Sequence, residues 1–196
     1  MYIIIKRKKR GRKTMSQKSL SKLDAPKNIT NKEKVLGAND FIVSKTDTKG
    51  KIIYCNEIFA EMAGYPPADL IGANHNLIRH PDMPRVAFKL VWDLIQNKEE
   101  FFGFVKNLSA DGGYYWVFAY ITADLDTNGN IVSYTSVRRK MPQSAIDIIT
   151  PLYKQMLDAE KTGGMEASKK LLEDVLAQHK VGYTELIINL QLGATL

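Results

Sequence analysis

The sequence has a single cysteine, Cys55, and no long apolar run. One cysteine cannot form an intramolecular disulfide, and it excludes a cysteine-rich zinc site. The longest purely apolar stretch is a handful of residues, far short of the roughly 20 that a membrane-spanning helix needs. The sequence also lacks a catalytic triad, a phosphate-binding loop and a kinase signature, and its three histidines are not spaced as a metal-ligand set. We therefore expect neither a transmembrane segment nor an enzyme.

The overall composition is that of a folded protein. Apolar residues make up 44% of the 196 residues and charged residues 25%, which is close to the average of globular domains. The length suits one domain with a small extension. We divide the chain into a basic segment (1–14), a flexible arm (15–39), one domain (40–140) and a helical C-terminal extension (141–196).

The positive net charge is concentrated at the start of the sequence. Residues 1–14 hold seven of the 28 lysines and arginines and no acidic residue, so the rest of the chain has 21 basic and 21 acidic residues. Because a nucleic-acid-binding domain usually carries positive charge on its folded surface, we discount a nucleic-acid partner. The basic segment has two interpretations. It touches an anionic membrane surface or nucleic acid, or it is not translated and Met15 is the true start.

The order of short elements predicts an α+β fold. Two β-rich runs, FIVSKTD and KIIYCN, meet at a turn-rich TDTKG; several short helices follow, and then the strands FFGFVKNL, YYWVFAYIT and IVSYTSVRR. This order predicts a five-stranded antiparallel sheet with short helices on one face. Because the third strand is apolar on both faces, we expect a flanking helix or a partner chain to cover the second face.

The clearest predicted helix follows the segment HPDMP. Phe88, Val91 and Ile95 recur at the spacing of an amphipathic helix with one buried face. Asp82 is the expected N-terminal cap of this helix, and Pro84 suits its first turn.

The chain is predicted to be helical after Arg139. Thr150 and Pro151 are expected to start a new helix there, because proline fits a first helical turn better than a helix interior. Gly163 and Gly164 are expected to break the helical region.

The stretch from Phe41 to about Arg139 resembles a PAS domain. The order of the elements matches, as do Asn56 at the start of the first helix and the step from Gly64 to Tyr65. More specifically, GANHNLIRHPDMPRVAFKLVWDLI resembles the PAS domain of the Aer family of energy-taxis receptors, which bind FAD and report redox state. FVKN, YYWVFA and PLYK match the same family. The resemblance covers about residues 40–157 and implies the PAS fold with C-terminal helices.

The resemblance implies that the RHPD motif holds FAD through Arg79, His80 and Asp82. The chemistry is suitable, because a guanidinium grips a pyrophosphate in a bidentate, charge-assisted way. A neutral histidine can donate to a phosphate or ribose oxygen, and a carboxylate can orient the arginine. The alternative from the residues alone is a capped helix start with one surface salt bridge.

The flavin ring of the resembled family needs a flat apolar slot with amide groups at its edge. By resemblance, Asn56 and Asn107 are the candidate amides. Phe101 stands where relatives often carry tryptophan, and it shares a strand face with Asn107. Trp92 and Trp116 either line the slot or belong to the core, and for Trp92 we favour the core.

Two other cofactor chemistries occur in PAS domains, the LOV photoadduct and haem. In LOV photoreceptors, a second PAS branch, a reactive cysteine forms the photoadduct; His75 stands at that position here, so the covalent light switch is chemically excluded. Haem bound through a lone histidine remains an alternative, because some PAS domains bind haem.

The resemblance implies a sensor rather than an enzyme. The expected function is to bind FAD and report redox or energy state to a membrane-bound chemotaxis signalling protein, as the sensory half of a bipartite energy-taxis system. We expect a homodimer through the PAS domain or its flanking helices, located in the cytoplasm, next to the inner face of the membrane through its partner. A cofactor-free interaction module and a small flavin-dependent oxidoreductase are the alternatives.

Overall fold

A computed structural model of the protein describes residues 19–194. The predicted basic segment 1–14 lies outside these residues. Five antiparallel strands form one sheet in the order β2-β1-β5-β4-β3. The strands are β1 (Ile42–Thr46), β2 (Ile52–Cys55), β3 (Phe101–Leu108), β4 (Tyr114–Leu125) and β5 (Ile131–Lys140). The α-helices are α1 (Glu57–Ala63), α2 (Pro67–Leu70), α3 (Arg85–Gln96), α4 (Gln143–His179) and α5 (Tyr183–Gln191), and two short 3₁₀ helices span Lys22–Asp24 and His75–Ile78. The predicted α+β architecture with its five-stranded antiparallel sheet is therefore confirmed.

The strand periodicity divides the sheet into two buried faces. Residues such as Val105 and Ala119 lie on one face, which we call the cavity face; α1 to α3 and the loops between them pack against this side. Phe104 and Trp116 lie on the other, which we call the α4 face. A core of α1 residues and strand residues, including the fully buried Phe59, fills one end of the cavity face.

Helices α4 and α5 cover the α4 face, as the apolar character of both strand faces predicted. Tyr153 of α4 packs against Trp116, with 6.2 Å between ring centroids, and its hydroxyl donates to the Phe104 carbonyl at 2.8 Å. Leu186 and Ile187 of α5 join the same apolar cluster. The flanking helix, rather than a partner chain, therefore accounts for the apolar second face.

The structure confirms one of the two predictions for the C-terminal helical region, the glycine break, and contradicts the other, the helix start at Pro151. Gly164 has φ +68° and interrupts the helical backbone of α4, which confirms the predicted break. Pro151 lies inside α4 and does not begin a helix, since α4 starts at Gln143. The missing proline N–H costs one helical hydrogen bond, and the buried neighbours Ile149 and Leu152 hold this turn against the sheet.

The arm before the sheet lies along the β3–β4 turn. The Thr30 N–H donates to the Gly112 carbonyl at 2.8 Å, and the Lys34 N–H donates to the Tyr114 carbonyl at 2.7 Å. Leu36 is buried in the core on the cavity side. Residues 30–36 thus extend the domain beyond the predicted start at residue 40. Among residues 19–194, none of the helices is long and apolar enough to cross a membrane.

Candidate functional site

A cavity of about 370 Å³ lies between α3 and the cavity face of the sheet. This volume is within the range of small-molecule binding sites. Its walls are mostly apolar because α3 turns its apolar stripe inward and the strands present small or branched side chains. The apolar lining consists of Ile78, Phe88, Val91, Trp92, Ile95, Val105, Ala119, Ile121 and Tyr134.

Trp92 stands at the edge of this cavity. Its ring meets Tyr134 edge-on, with 5.5 Å between centroids, and 36% of the residue is exposed. The interpretation of Trp92 as plain core is therefore wrong, because the tryptophan lines the cavity and reaches its surface. A partly exposed tryptophan beside an apolar cavity is a group on which a flat ring can stack.

Two buried polar side chains in the cavity lining have hydrogen-bond donors without a partner in the described part of the chain. They are Asn107, through its Nδ2 amide, and Arg138, through Nε and Nη1. Buried polar groups in native proteins are almost always paired. Unpaired donors on residues that line an apolar cavity therefore indicate a ligand with hydrogen-bond acceptors.

Arg138 belongs to a polar cluster with Ser44 and His75. Its Nη2 donates to Ser44 Oγ, and a hydrogen bond of 3.3 Å joins Ser44 Oγ to His75 Nε2. The His75 ring stacks on Phe59 at 5.6 Å between centroids. Burial, reinforced by the Arg138 charge, lowers the pKa of His75 to about 3, so this histidine is neutral at physiological pH.

Arg79 approaches the cavity from the opposite wall. Its guanidinium carbon lies 3.9 Å from the centroid of the Phe88 ring, and its backbone bridges to that of Asn107. Burial lowers the pKa of Arg79, while the charge of Glu160 opposes this shift. The half-buried Arg79 side chain lines the cavity, and because an arginine guanidinium stays protonated in proteins, it is suited to bind an anion.

His80 and Asp82 lie outside the cavity lining. Asp82 forms a salt bridge of 2.6 Å with Lys106 and does not orient Arg79. Its backbone N–H donates to His80 Nδ1 at 3.1 Å. Burial and the charge of Lys106 lower the pKa of His80 to about 4. Of the RHPD motif, only Arg79 lines the cavity. His80 and Asp82 lie beside the cavity, where Asp82 pairs with Lys106.

Asp82 is also not the cap of α3. The helix begins at Arg85 after Pro84, and Pro84 offers no side-chain cap. The N–H of Val86 instead donates to Oε1 of Glu160 on α4 at 3.0 Å. The prediction that Asp82 caps α3 is wrong, because its carboxylate pairs with Lys106. Glu160, which is distant in the sequence, accepts the hydrogen bond at the start of α3 instead.

Three further predicted site residues also lie away from the cavity. Asn56 caps α1, because its Oδ1 accepts from the Phe59 N–H at 3.1 Å. The same oxygen accepts from the Val43 N–H of β1 at 3.0 Å. Phe101 shares the strand face of Asn107, but its ring turns over Gly103 and stacks near Tyr183 at 6.1 Å. Trp116 points to the α4 face, because it is one residue out of phase with Val117 and Tyr115 on the cavity side.

The sequence interpretation missed Ser44, His75 and Arg138 as site residues. The strand period carried a usable signal for Arg138, since it places this arginine on the same face as Tyr134 and Ser136. A charged residue on a strand with two covered faces is unusual. Its pairing with Ser44 depends on the alignment of β1 with β5, which the local sequence does not reveal.

Comparison with known proteins agrees with this architecture. Residues 52–138 match the sequence model of the PAS fold family. The chain is 34% identical to the aerotaxis receptor of Escherichia coli over 128 residues, which is 65% of this chain and 25% of the receptor. It is 30% identical to the nitrogen fixation regulatory protein of Klebsiella oxytoca over 102 residues, covering 52% of this chain and 21% of that protein.

Solved light-oxygen-voltage (LOV) domains share the fold. One, from a study of a flavin analogue in such a domain, superposes with a TM-score of 0.50 at 23% identity, covering 57% of this chain and 83% of the other. The LOV domain of the blue-light photoreceptor Aureochrome1 gives 0.51 at 20% identity, covering 58% and 90%. The chain spans only about a quarter of the aerotaxis receptor. The fold and the sequence matches show that this chain carries a PAS domain related to the aerotaxis receptor of Escherichia coli.

Proposed function

We propose that the protein is a redox sensor that holds FAD in the cavity between α3 and the sheet and passes the flavin's redox state to a chemotaxis signalling protein. The observation that carries this proposal is the apolar cavity with unpaired buried donors on Asn107 and Arg138. The sequence relation to the aerotaxis receptor of Escherichia coli supports chemotaxis as the process in which the sensor acts.

The residues present fit a flavin. The isoalloxazine ring is flat and largely apolar, with carbonyl oxygens and ring nitrogens along one edge. The cavity has apolar walls, a tryptophan at its edge, and buried donors with no acceptor among residues 19–194. Trp92 would stack near the ring, Asn107 would donate to its edge, and Arg79 would hold the pyrophosphate. FAD would supply the ability to accept and return electrons.

Signal transmission would run through α3 to α4. Phe88, Val91 and Ile95 of α3 line the cavity, so a change in the bound group acts on this helix. The N-terminus of α3 bonds to Glu160 of α4. Movement of α3 therefore changes a contact of α4, which covers the opposite face of the sheet and presents an outer surface to a partner.

The proposed partner is a membrane-bound chemotaxis signalling protein. The protein would act in the cytoplasm as a homodimer, joined through the PAS domain or its flanking helices, and would reach the inner face of the membrane through its partner. It would bind and report without transforming a substrate. Support for this assignment is the sequence relation to a receptor whose name gives aerotaxis as its role.

The visible spectrum of the purified 196-residue chain tests the cofactor. Flavin absorption bands that bleach on addition of dithionite are the expected result. A Soret band would contradict FAD and move the assignment to haem and gas sensing. A colourless protein that stays colourless after incubation with FAD would contradict redox sensing and leave a cofactor-free interaction module. Steady turnover of NADH or NADPH would contradict the non-enzymatic role.

Arg79 offers a variant for the same experiment. Arg79→Ala is expected to weaken FAD retention about tenfold or more, since a charge-assisted hydrogen bond contributes roughly 1.5–3 kcal/mol. Arg139→Ala, which removes an exposed arginine on the α4 face of the sheet, is the matched control. Equal flavin content in both variants would overturn the role of Arg79 and leave the fold assignment intact.

A further inference from the structure

Arg138 is a buried cation without a carboxylate partner in residues 19–194. The residue is 2% exposed, lies on the central strand β5 and lines the cavity. Of its three guanidinium nitrogens, Nη2 donates to Ser44 Oγ, while Nε and Nη1 have no partner. Its guanidinium carbon also lies 4.7 Å from the centroid of the Phe59 ring. These contacts fix the position of the side chain without neutralising its charge.

The neighbours of Arg138 are neutral at physiological pH. Burial lowers the pKa of the His75 imidazole to about 3, and burial raises the pKa of the Tyr115 phenol. Burial lowers the pKa of Arg138 itself to about 10, which still leaves the guanidinium charged. A buried, unpaired charge destabilises a folded protein unless it gains a counter-charge. The buried charge of Arg138 therefore lowers the free energy of unfolding, and a bound anionic group would offset this loss.

We propose that Arg138, held in place by Ser44, is the anion-recognising group of the cavity and favours the negatively charged form of the bound ligand over its neutral form. This inference rests on the proposed function, in which the ligand is a flavin. There, the free Nε–H and Nη1–H would donate to the pyrimidine edge of the ring.

The charge of that edge depends on the redox state. Uptake of two electrons and one proton by a flavin leaves one negative charge delocalised over its pyrimidine ring. A fixed cation beside this edge favours the reduced form, so the charge near the ring tunes the cofactor. Arg138 would then set the redox range in which the sensor responds, while Arg79, on the opposite wall, would hold the pyrophosphate.

The first test compares the bound flavin in three 196-residue proteins, namely the wild type, Arg138→Met and Arg139→Met. The midpoint potential of bound flavin, relative to free flavin, gives the ratio of the dissociation constants for the oxidised and reduced forms. Arg138→Met is expected to lower the preference for reduced flavin at least about tenfold, which corresponds to a midpoint potential about 30 mV more negative. Arg139→Met removes the same charge one residue along, where the side chain is exposed on the α4 face, and is expected to leave the preference unchanged. An unchanged ratio in Arg138→Met, or an equal fall in Arg139→Met, would overturn the proposal.

The second test does not need the cofactor. In flavin-free protein, Arg138→Met is expected to be as stable as the wild type or more stable in urea unfolding, since an unpaired buried charge has been removed. Arg138→Gln, which removes the charge but keeps donors for Ser44, is the second variant. Unfolding or clear destabilisation of both variants would overturn the proposal, because Arg138 would then be structural.

The two tests separate this inference from the proposed function. A wild-type protein that takes up no flavin contradicts the proposed function, and the urea measurement then decides the role of Arg138. A wild-type protein that binds flavin with the same redox preference as Arg138→Met contradicts this inference and leaves the proposed function standing.

Discussion

Glu160 of α4 accepts a hydrogen bond from the backbone N–H of Val86 in the first turn of α3, with 3.0 Å between Oε1 and N. The first turn of α3 has no capping side chain of its own, because Pro84 precedes it. The helix that walls the cavity is therefore capped by the helix that covers the other face of the sheet. This contact joins α3, which lines the cavity, to α4, which covers the opposite face of the sheet.

Glu160→Ala should destabilise the protein by about 1 kcal/mol, the usual cost of losing a helix cap. Urea unfolding measures the loss. Glu166→Ala, at an exposed position on the same helix, is the control and should leave the free energy of unfolding nearly unchanged. Equal values for the two variants would show that the Glu160 contact does not stabilise the start of α3.

Asp82→Ala should cost more than removal of an ordinary surface ion pair. It leaves the Lys106 ammonium, whose side chain is only 12% exposed, without its carboxylate and beside the Tyr114 ring. We expect a loss of about 1–2 kcal/mol in the free energy of unfolding. Asp93→Ala breaks the exposed pair with Lys89 and should cost under about 0.5 kcal/mol. The reverse order of the two losses would contradict the structural role given to Asp82.

His75 should make the protein less stable in mild acid. Because its pKa is lowered from 6.5 to about 3 in the folded state, the unfolded chain binds the proton more tightly. The stability that neutral His75 contributes is complete above about pH 6.5 and declines as the pH falls towards 3. His75→Gln should therefore reduce the loss of unfolding free energy between pH 7 and pH 5 by at most about 2 kcal/mol. Urea unfolding at both pH values gives this difference, and an unchanged pH dependence would show that His75 is not buried in neutral form.

Gly112→Ala should release the arm from the β3–β4 turn. Gly112 has φ +83°, and a Cβ atom there would lie 2.1 Å from the Asn28 carbonyl oxygen. Gly129 has a similar φ of +78° with no atom within 4 Å of its Cβ position, so Gly129→Ala isolates the backbone strain, about 1–2 kcal/mol. We expect the Gly112 variant to lose at least about 1 kcal/mol more than the control, from displacing the arm.

Limited trypsin digestion provides a second measurement of the arm. Cleavage after Lys27 and Lys32 should be faster in Gly112→Ala than in Gly129→Ala. Equal cleavage rates in both variants would mean that the arm does not depend on its contact with Gly112.

The parts of the structure that local patterns determine could be predicted. The strand order along the chain, the amphipathic α3 and the need to cover both sheet faces follow from side-chain periods of 2 and 3.6 residues. The break at Gly164 follows from paired glycines. The resemblance predicts Arg79 and Asn107 as site residues, and both line the cavity.

The parts that depend on distant contacts could not be predicted. Asp82 looks like a helix cap in the sequence, but its carboxylate meets Lys106 in a strand 24 residues away. Trp116 looks like a stacking residue, but only the packing of α3 and α4 on the assembled sheet decides which face of β4 meets the cavity, and Trp116 lies on the other one. Arg138 gains its partner Ser44 only when β1 and β5 pair, 94 residues apart.

The most direct test of the central claim is the flavin content of a variant with a filled cavity. Ala119 lines the cavity from β4, while Ala123 lies further along the same strand face and outside the lining. After gel filtration with excess FAD, the wild type and Ala123→Leu should retain stoichiometric flavin, and Ala119→Leu, folded by circular dichroism, should retain none. Flavin bound to Ala119→Leu as tightly as to the wild type would contradict the placement of FAD between α3 and the sheet.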